Sequence, residues 1–429
     1  MTSGLIQLVS NAESTKFLTG NPQITFFKTV YKKYSNFYIT TIEQSINGKT
    51  FFGSSVNSIL NKSGDLLKNI YLEILLPDLN KPESASWFGY TNNIGCNLIK
   101  SVTFKINDQI IDKIYGDSID IYNNIIDNDI SDMVLEYESD YSIRNTQNTI
   151  PKAKRHCYIN LPFWFSRNTG LALPLIALNN SDINIDIEFG DLNKVIKIDN
   201  YNKLDEISVK TDSEFDCKLW TECIYLDEVE KKIFSTKAHE YLIEQLQYNG
   251  DNIITKFDKK KEVFLNFRHP IKELIWVISV DNTNIDTNLN HDYNNITRYT
   301  SYYSDYKDTF ETVTIKLNSM TFLEDKSPNY FRILQSNLYH KNRRNKHIYS
   351  YSFSLNPEEF QPSGALNFSD LNTSLFTFNF TDNNNNSIVD SGCATNGVIK
   401  VFAYNYNILK IASGQVSLSY MIWLYKWII

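Results

Sequence analysis

The sequence predicts an all-β protein built of antiparallel sheets packed as sandwiches, and three observations carry that reading. Apolar and polar residues alternate with a period of two in segment after segment. Turn-forming residues separate those segments. Aromatic residues, which suit a pleated surface better than a helix, make up 14% of the 429 residues, with 27 Tyr and 26 Phe.

The segments run from end to end. Ile70, Leu72, Ile74 and Leu76 face one way, with Asn69, Tyr71 and Glu73 opposite. Val102, Phe104 and Ile106 alternate with Ser101, Thr103 and Lys105, and Ile183, Ile185, Ile187 and Phe189 with Asp182, Asn184, Asp186 and Glu188. The pattern returns at Val313-Ile315-Leu317, at Phe376-Phe378-Phe380 and at Val416-Leu418-Tyr420-Ile422-Leu424. Each such strand has one apolar face to bury, which asks for a second sheet against it. Asn47-Gly48, before Lys49–Phe52, has the composition of a type I′ hairpin turn, and Asn107-Asp108 is a weaker version of it. Helical signals are short. Asp227–Phe234 has acids first and lysines last, matching the helix dipole, and lies between two strand-rich halves. Ser327–Tyr339 and Asp117–Ile126 are further short candidates, and Asp281–Asn295 and Thr381–Ser387 read as surface loops.

Tyr349–Phe368 is the most distinctive stretch. Tyr349, Tyr351, Phe353 and Leu355 alternate with Ser350, Ser352 and Ser354, which predicts a half-buried strand with an apolar row and a hydroxyl row. Asn356-Pro357 stops the ladder, because proline has no N–H to donate. Gln361-Pro362-Ser363-Gly364 then reads as a type I turn, with proline second and glycine fourth.

The totals narrow the function classes. The length allows two domains with full cores. With 42 Lys+Arg against 49 Asp+Glu the formal charge is −7, which disfavours nucleic-acid binding by the surface as a whole. The five cysteines, 96, 157, 217, 223 and 393, are scattered without C-x-x-C spacing. They read as free thiols of a reducing compartment, with Cys217 and Cys223 on one strand. The first residues lack the layout of a signal peptide, and position 2 is not glycine. The longest apolar stretches, Leu274–Val280 and Met421–Ile429, fall short of the roughly 20 residues of a membrane helix. The expectation is a soluble protein of the cytoplasm.

A search for catalytic chemistry finds little. Gly48-Lys49-Thr50 imitates the end of a phosphate-binding loop, but Glu43 stands where that motif needs glycine. The six histidines form neither H-x-H nor H-E-x-x-H, and no G-x-S-x-G occurs. The densest positive run, Lys341–His347, contains Arg343 and Arg344; it reads as a solvated loop or as an electrostatic contact with an acidic neighbouring subunit. N-x-[ST] sequons at Asn61, Asn179, Asn295, Asn367, Asn372 and Asn379 are expected by chance in an Asn- and Ser-rich chain. Asn295 and Asn379 are the positions retained as candidates for a glycan.

Several separated segments are similar to those of one family. Gly20–Phe37 (G-N-P-Q-I-T-F-F-K-T-V-Y-K-K-Y-S-N-F) resembles the N-terminal signature of the double jelly-roll major capsid proteins of nucleocytoplasmic large DNA viruses. Leu161–Leu178, His239–Gln247, Arg268–Val277, the Tyr349–Phe368 stretch and Asn407–Gly414 resemble further signatures, in the family's order. One departure is that Ser413-Gly414 runs into Gln415-Val416-Ser417, where family members often carry a G-M-G-G-type stretch.

The resemblance implies two tandem eight-stranded jelly rolls with a few short helices: an arm over 1–24, a first jelly roll over 25–227, a connecting helix over 228–236 and a second jelly roll over 237–429. It implies a structural role in the virion without catalysis, cofactor or metal. Three copies would form a pseudo-hexagonal capsomer of an icosahedral shell, assembled in the host cytoplasm. The partners would be neighbouring capsomers, minor capsid proteins and a penton protein, with an internal membrane near but not spanned and no direct nucleic-acid contact. A minor or paralogous capsid component, and a carbohydrate-binding jelly-roll surface protein, are the alternatives. Leu161–Leu178, with Pro162 and Pro174 among aromatic and aliphatic residues, is expected to be a bent, buried segment, either near a subunit contact or simply packed in a core.

Overall fold

The computed structural model describes residues 5–6, 16–77, 79, 88–91, 93–125, 156–198, 214–255, 257–280, 299, 308–341, 346–380 and 397–420. Two compact units divide the chain, Met1–Phe37 and Tyr38–Ile429. In the first, one helical turn at Lys16–Thr19 closes on a Gly20 N–H to Lys16 carbonyl bond of 2.8 Å. Residues 28–36 that follow have no regular structure.

The second unit contains two sandwiches in succession. The earlier one takes strands β1 (Phe37–Gln44), β2 (Ser55–Ile59), β3 (Leu66–Leu75), β4 (Phe88–Tyr90), β5 (Ile99–Ile106), β6 (Gln109–Tyr115), β7 (His156–Asn160), β8 (Leu173–Pro174), β9 (Ile183–Phe189), β10 (Ile196–Ile198) and β11 (Asp216–Leu226). One sheet has the order β1-β11-β3-β7, with β8 also on β3; the other has the order β2-β9-β5-β6, and β4 pairs β10 apart from both. The later sandwich takes β12 (His239–Ile254), β13 (Lys260–Phe264), β14 (Pro270–Val280), β15 (Thr312–Leu317), β16 (Met320–Lys326), β17 (Tyr349–Ser352), β18 (Leu366–Asn367), β19 (Ser374–Asn379), β20 (Gly397–Ala412) and β21 (Gln415–Leu418). Its sheets run β12-β20-β14-β17, carrying β18 and β21, and β13-β19-β15-β16. Setting the extra short strands aside, each sandwich has eight strands in one shared order: first-eighth-third-sixth against second-seventh-fourth-fifth. That is a jelly roll, made twice.

The alternation explains which faces are buried. Along β9 the apolar residues Ile183, Ile185, Ile187 and Phe189 are buried and their polar neighbours only partly so. They meet Ile70, Leu72 and Ile74 of β3 in one core. In the later sandwich, Leu274, Trp276 and Ile278 of β14 meet Phe376 and Phe378 of β19. The intervening Ile275 and Val277 are buried as well, because they face outward onto Ile121 and Ile125 of a helix, Gly116–Ile125, from the earlier sandwich. Sheet β12-β20-β14-β17 is therefore covered on both sides.

Turn expectations divide. Asn107 and Asp108 both take positive φ, 50° and 62°, and close the β5–β6 hairpin as a two-residue turn. Asn47-Gly48 makes no such hairpin. Asn47 pairs instead with Asn57, and Phe51 bridges Glu214, so distant strands outcompete the local turn. The helical candidates appear at Gly116–Ile125 and Glu228–Thr236, the latter capped by the Asp227 carboxylate accepting from the Glu230 N–H at 2.8 Å. Over Ser327–Tyr339 the chain forms a π-helical stretch, Tyr330–Gln335, followed by an α-helical turn, Ser336–Tyr339. The expected loops at Asp281–Asn295 and Thr381–Ser387, Met421–Ile429 and Cys393 lie outside the described residues.

Candidate functional site at the junction of the two sandwiches

The junction is built by β6 and the Gly116–Ile125 helix on one side, and by β12, β14 and β20 on the other. Gly116 lets the helix start directly beneath the Cys96–Ile99 backbone, since a Cβ there would overlap the carbonyl oxygens of Cys96 and Ile99. Every residue of the helix is buried, including its acids. Those acids are paired across the junction. Asp117 Oδ2 meets Lys400 Nζ of β20 at 2.5 Å, and Asp120 Oδ1 meets Lys346 Nζ at 2.7 Å. Burial raises the pKa of Asp117. Lys400 is held above its ordinary value because Asp117 outweighs the cost of its burial.

Backbone and side chains stitch β6 to β12. Asp112 Oδ1 accepts from the Leu246 N–H at 3.1 Å, and the Gln245 amide donates to the Ile111 carbonyl. Burial lifts the Asp112 pKa to about 6. Beside it, Arg167 lies between the Tyr122 and Tyr404 rings, 5.1 and 5.0 Å from their centroids, and pairs with Glu244 Oε2 at 3.2 Å. Glu244 also holds Lys272, whose ammonium donates to the Pro357 carbonyl at 2.7 Å. One residue on, Glu273 accepts from His340 Nε2 at 2.6 Å, while His340 Nδ1 lies 3.3 Å from Glu358. Burial alone would lower the His340 pKa, but the two carboxylates prevail and raise it to about 9. A cavity of about 270 Å³ opens beside this network, lined by Tyr122, Trp164, Arg167, Glu244, Lys272 and Phe360 among others.

This chemistry is that of a clamp. Asp117, Asp120, Arg167, Lys272 and Glu273 are each met by an opposite charge, which fixes geometry more than it adds stability. Among the described residues no group of three or more His, Cys, Asp and Glu side chains could hold a metal ion. The four described cysteines are free thiols, and burial pushes Cys217 up to about 12.

The sequence-predicted segments fall into place with corrections. Most of Leu161–Leu178 is core: Phe163, Trp164 and Phe165 are buried around Phe104, each ring centroid 5.4 Å from it, while Arg167 reaches into the junction. In the Tyr349 strand both rows are covered. Ser350, Ser352 and Ser354 are buried, whereas Leu355, expected inward, is 73% exposed. The small hydroxyl row lets α-helical Asn124 and Ile125 approach alongside Ser350. The hydrogen-bonded turn is Asn356-Pro357-Glu358-Glu359, closed by the Glu359 N–H to Asn356 carbonyl bond at 3.3 Å. Gln361-Pro362-Ser363-Gly364 is instead a return segment: the Leu355 N–H donates to the Ser363 carbonyl, and the Asn356 N–H to Ser363 Oγ.

Arg343, Arg344 and Asn295 lie outside the described residues. Asn379 ends β19, where its amide donates to Thr312 Oγ1 at 2.8 Å and so supports the sheet. The reading by sequence missed the junction itself. Its one visible signal is Lys272-Glu273, a charged pair interrupting the apolar run of β14.

Comparison with known proteins agrees with this architecture. Residues 25–227 match the family described as major capsid protein N-terminus, and residues 230–417 match large eukaryotic DNA virus major capsid protein. The chain is 32% identical to the major capsid protein of Pyramimonas orientalis virus, over 98% of this chain and 100% of that one. Against the major capsid protein of Paramecium bursaria Chlorella virus 1 the identity is 30%, with the same coverage of both. A chain in a quasi-atomic model of the PBCV-1 virus capsid superposes with a TM-score of 0.75 at 27% identity, covering 93% of this chain and 100% of that chain. With two jelly rolls of one strand order and relatives aligned over nearly its whole length, the chain belongs to the major capsid proteins of large eukaryotic DNA viruses, a family of structural proteins rather than enzymes.

Proposed function

We propose that three copies of this chain assemble into a pseudo-hexagonal capsomer that tiles the faces of a large icosahedral shell. The observation that carries this reading is the pair of jelly rolls with one strand order, clamped side by side by buried ion pairs in a single chain. Three such chains present six similar sandwiches around one axis, so a threefold object acquires a near-sixfold outline. The arm over 1–24, the first jelly roll over 25–227, the helix over 228–236 and the second jelly roll over 237–429 are the parts of that building block. Neighbouring capsomers, minor capsid proteins and a penton protein are its partners, assembly takes place in the host cytoplasm, and an internal membrane lies near without being crossed. The net charge of −7 supports the absence of a direct nucleic-acid contact. Arg343 and Arg344 are proposed to meet an acidic neighbouring subunit, and Asn295 is kept as a glycan position.

Light scattering coupled to size exclusion, with negative-stain imaging, tests the reading. The expected particle has three times the 49.8 kDa chain mass and a hexagonal outline. A monomer that persists at high protein concentration would overturn it.

A further inference from the structure

The N-terminal segment and one sheet edge have complementary character. Between Lys16 and Asn36 the chain carries four lysines, Lys16, Lys28, Lys32 and Lys33, and no acid, which leaves the remaining residues with a formal charge of −11. The same segment exposes a row of large apolar side chains: Phe26, Phe27 and Tyr34 are 91%, 97% and 85% exposed. Side chains this large and this bare mark a surface made to be covered. Residues 28–36 have no regular secondary structure, so their backbone N–H and C=O groups remain open to another strand.

Strand β16 offers the counterpart. It is the edge of its sheet, beyond β15, and most of its residues are exposed on both faces. Met320 and Phe322 form an apolar strip there, with Phe322 packed edge-on to Tyr351. Glu324 on this strand and Glu311 just before β15 are exposed and have no ion-pair partner among the described residues. An exposed edge strand is a template for another chain.

We infer that Lys16–Asn36 is an intersubunit strap that lies along β16 of a second copy of this chain, its aromatics on Met320 and Phe322 and its lysines beside Glu311 and Glu324. The strap names the contact within the self-assembly proposed above and rests on that reading. An anionic lipid surface would also attract the lysines, but it has no strand edge to pair with the open backbone of residues 28–36, whereas β16 of a second copy offers an edge and carboxylates together.

The test uses full-length protein and sedimentation velocity across a range of salt. Lys28→Glu, Lys32→Glu and Lys33→Glu together are expected to weaken self-association about fivefold, on roughly 0.5 kcal/mol for each of the two exposed pairs. Glu311→Lys with Glu324→Lys is expected to do the same, and the five substitutions combined to restore association. A synthetic peptide of residues 16–36 is expected to compete with wild-type assembly. If the wild-type chain never associates, the capsomer reading fails. If it associates and the lysine reversals leave that unchanged, only the strap fails. Loss in both single sets without recovery in the combination also overturns the strap. So does a reversed segment that loses binding to phosphatidylserine vesicles while self-association persists.

Discussion

The two sandwiches share a strand order but not a filling. The first core is mostly Ile and Leu, with Phe104, Phe163, Trp164 and Phe165 in one cluster. The second is strongly aromatic: Trp276, Phe310, Phe331, Tyr349, Phe376 and Phe378 interlock, most often edge to face. They also differ in what lies outside. Sheet β2-β9-β5-β6 keeps a polar outer face, with Lys105 paired to Asp186 and Lys100 to Glu188. Sheet β12-β20-β14-β17 has its outer face covered by the first sandwich. The difference teaches that a jelly roll specifies where strands go and which face turns inward, while the filling is free to vary at constant volume.

The largest test of that contrast is a matched pair of core truncations. Phe378→Ala is expected to cost about 3–5 kcal/mol and Ile185→Ala about 2–5 kcal/mol, both by leaving cavities. Urea denaturation followed by tryptophan fluorescence measures each. Because the buried junction couples the sandwiches, both variants are expected to shift one common transition. Two separated transitions would show that the sandwiches unfold independently.

A smaller effect isolates the junction. His340 titrates at about 9 in the folded protein against 6.5 for the free side chain. Its folded pKa is raised, so its contribution is fully present below pH 6.5 and is lost as pH rises through about 9. Melting temperatures recorded from pH 6 to 10 are expected to decline over that window, and His340→Gln is expected to flatten the decline. An unchanged slope in the variant would remove His340 from the clamp. Asp112, raised to about 6, has the same sign in an earlier window: its contribution is lost as pH rises from 3.8 through 6.

The smallest effect concerns turns. Asp108 sits at φ 62°, a conformation glycine adopts without strain. Asp108→Gly is expected to stabilise the β5–β6 hairpin by about 0.5–1 kcal/mol in the same urea titration. A loss of stability would mean that the Asp108 side chain supports the turn.

Much of this fold was legible because a strand's burial is a local, period-two property. Ile183–Phe189 and Ile70–Leu76 were read correctly from alternation alone, and both lie in the first core. Legibility failed where a distant partner overrode a local preference. Asn47-Gly48 is the better hairpin dipeptide, yet Asn107-Asp108 forms the turn, as do Asn318-Ser319 and Ser413-Gly414, each with both residues at positive φ. The Tyr349 strand failed in a related way. Its serine row looked solvent-facing by polarity, but all three serines are buried, Ser350 lining a cleft with Asn124 and Ile125 and Ser352 bonding Ser354.

By itself the sequence determined the class, the position of most strands, the capped helix at Glu228–Thr236 and, through dispersed signatures, the family. Those depend on interactions within a few residues or on motifs that stay contiguous. The family resemblance implied two jelly rolls, but no repeat is visible along the chain, and only the tertiary structure displayed the shared strand order of the two halves. It alone also brought Arg167 to Glu244, and Asp117 to Lys400, across 77 and 283 residues. A charge carries no mark of its partner until the backbone has folded, so the clamp became visible only once both sandwiches stood side by side.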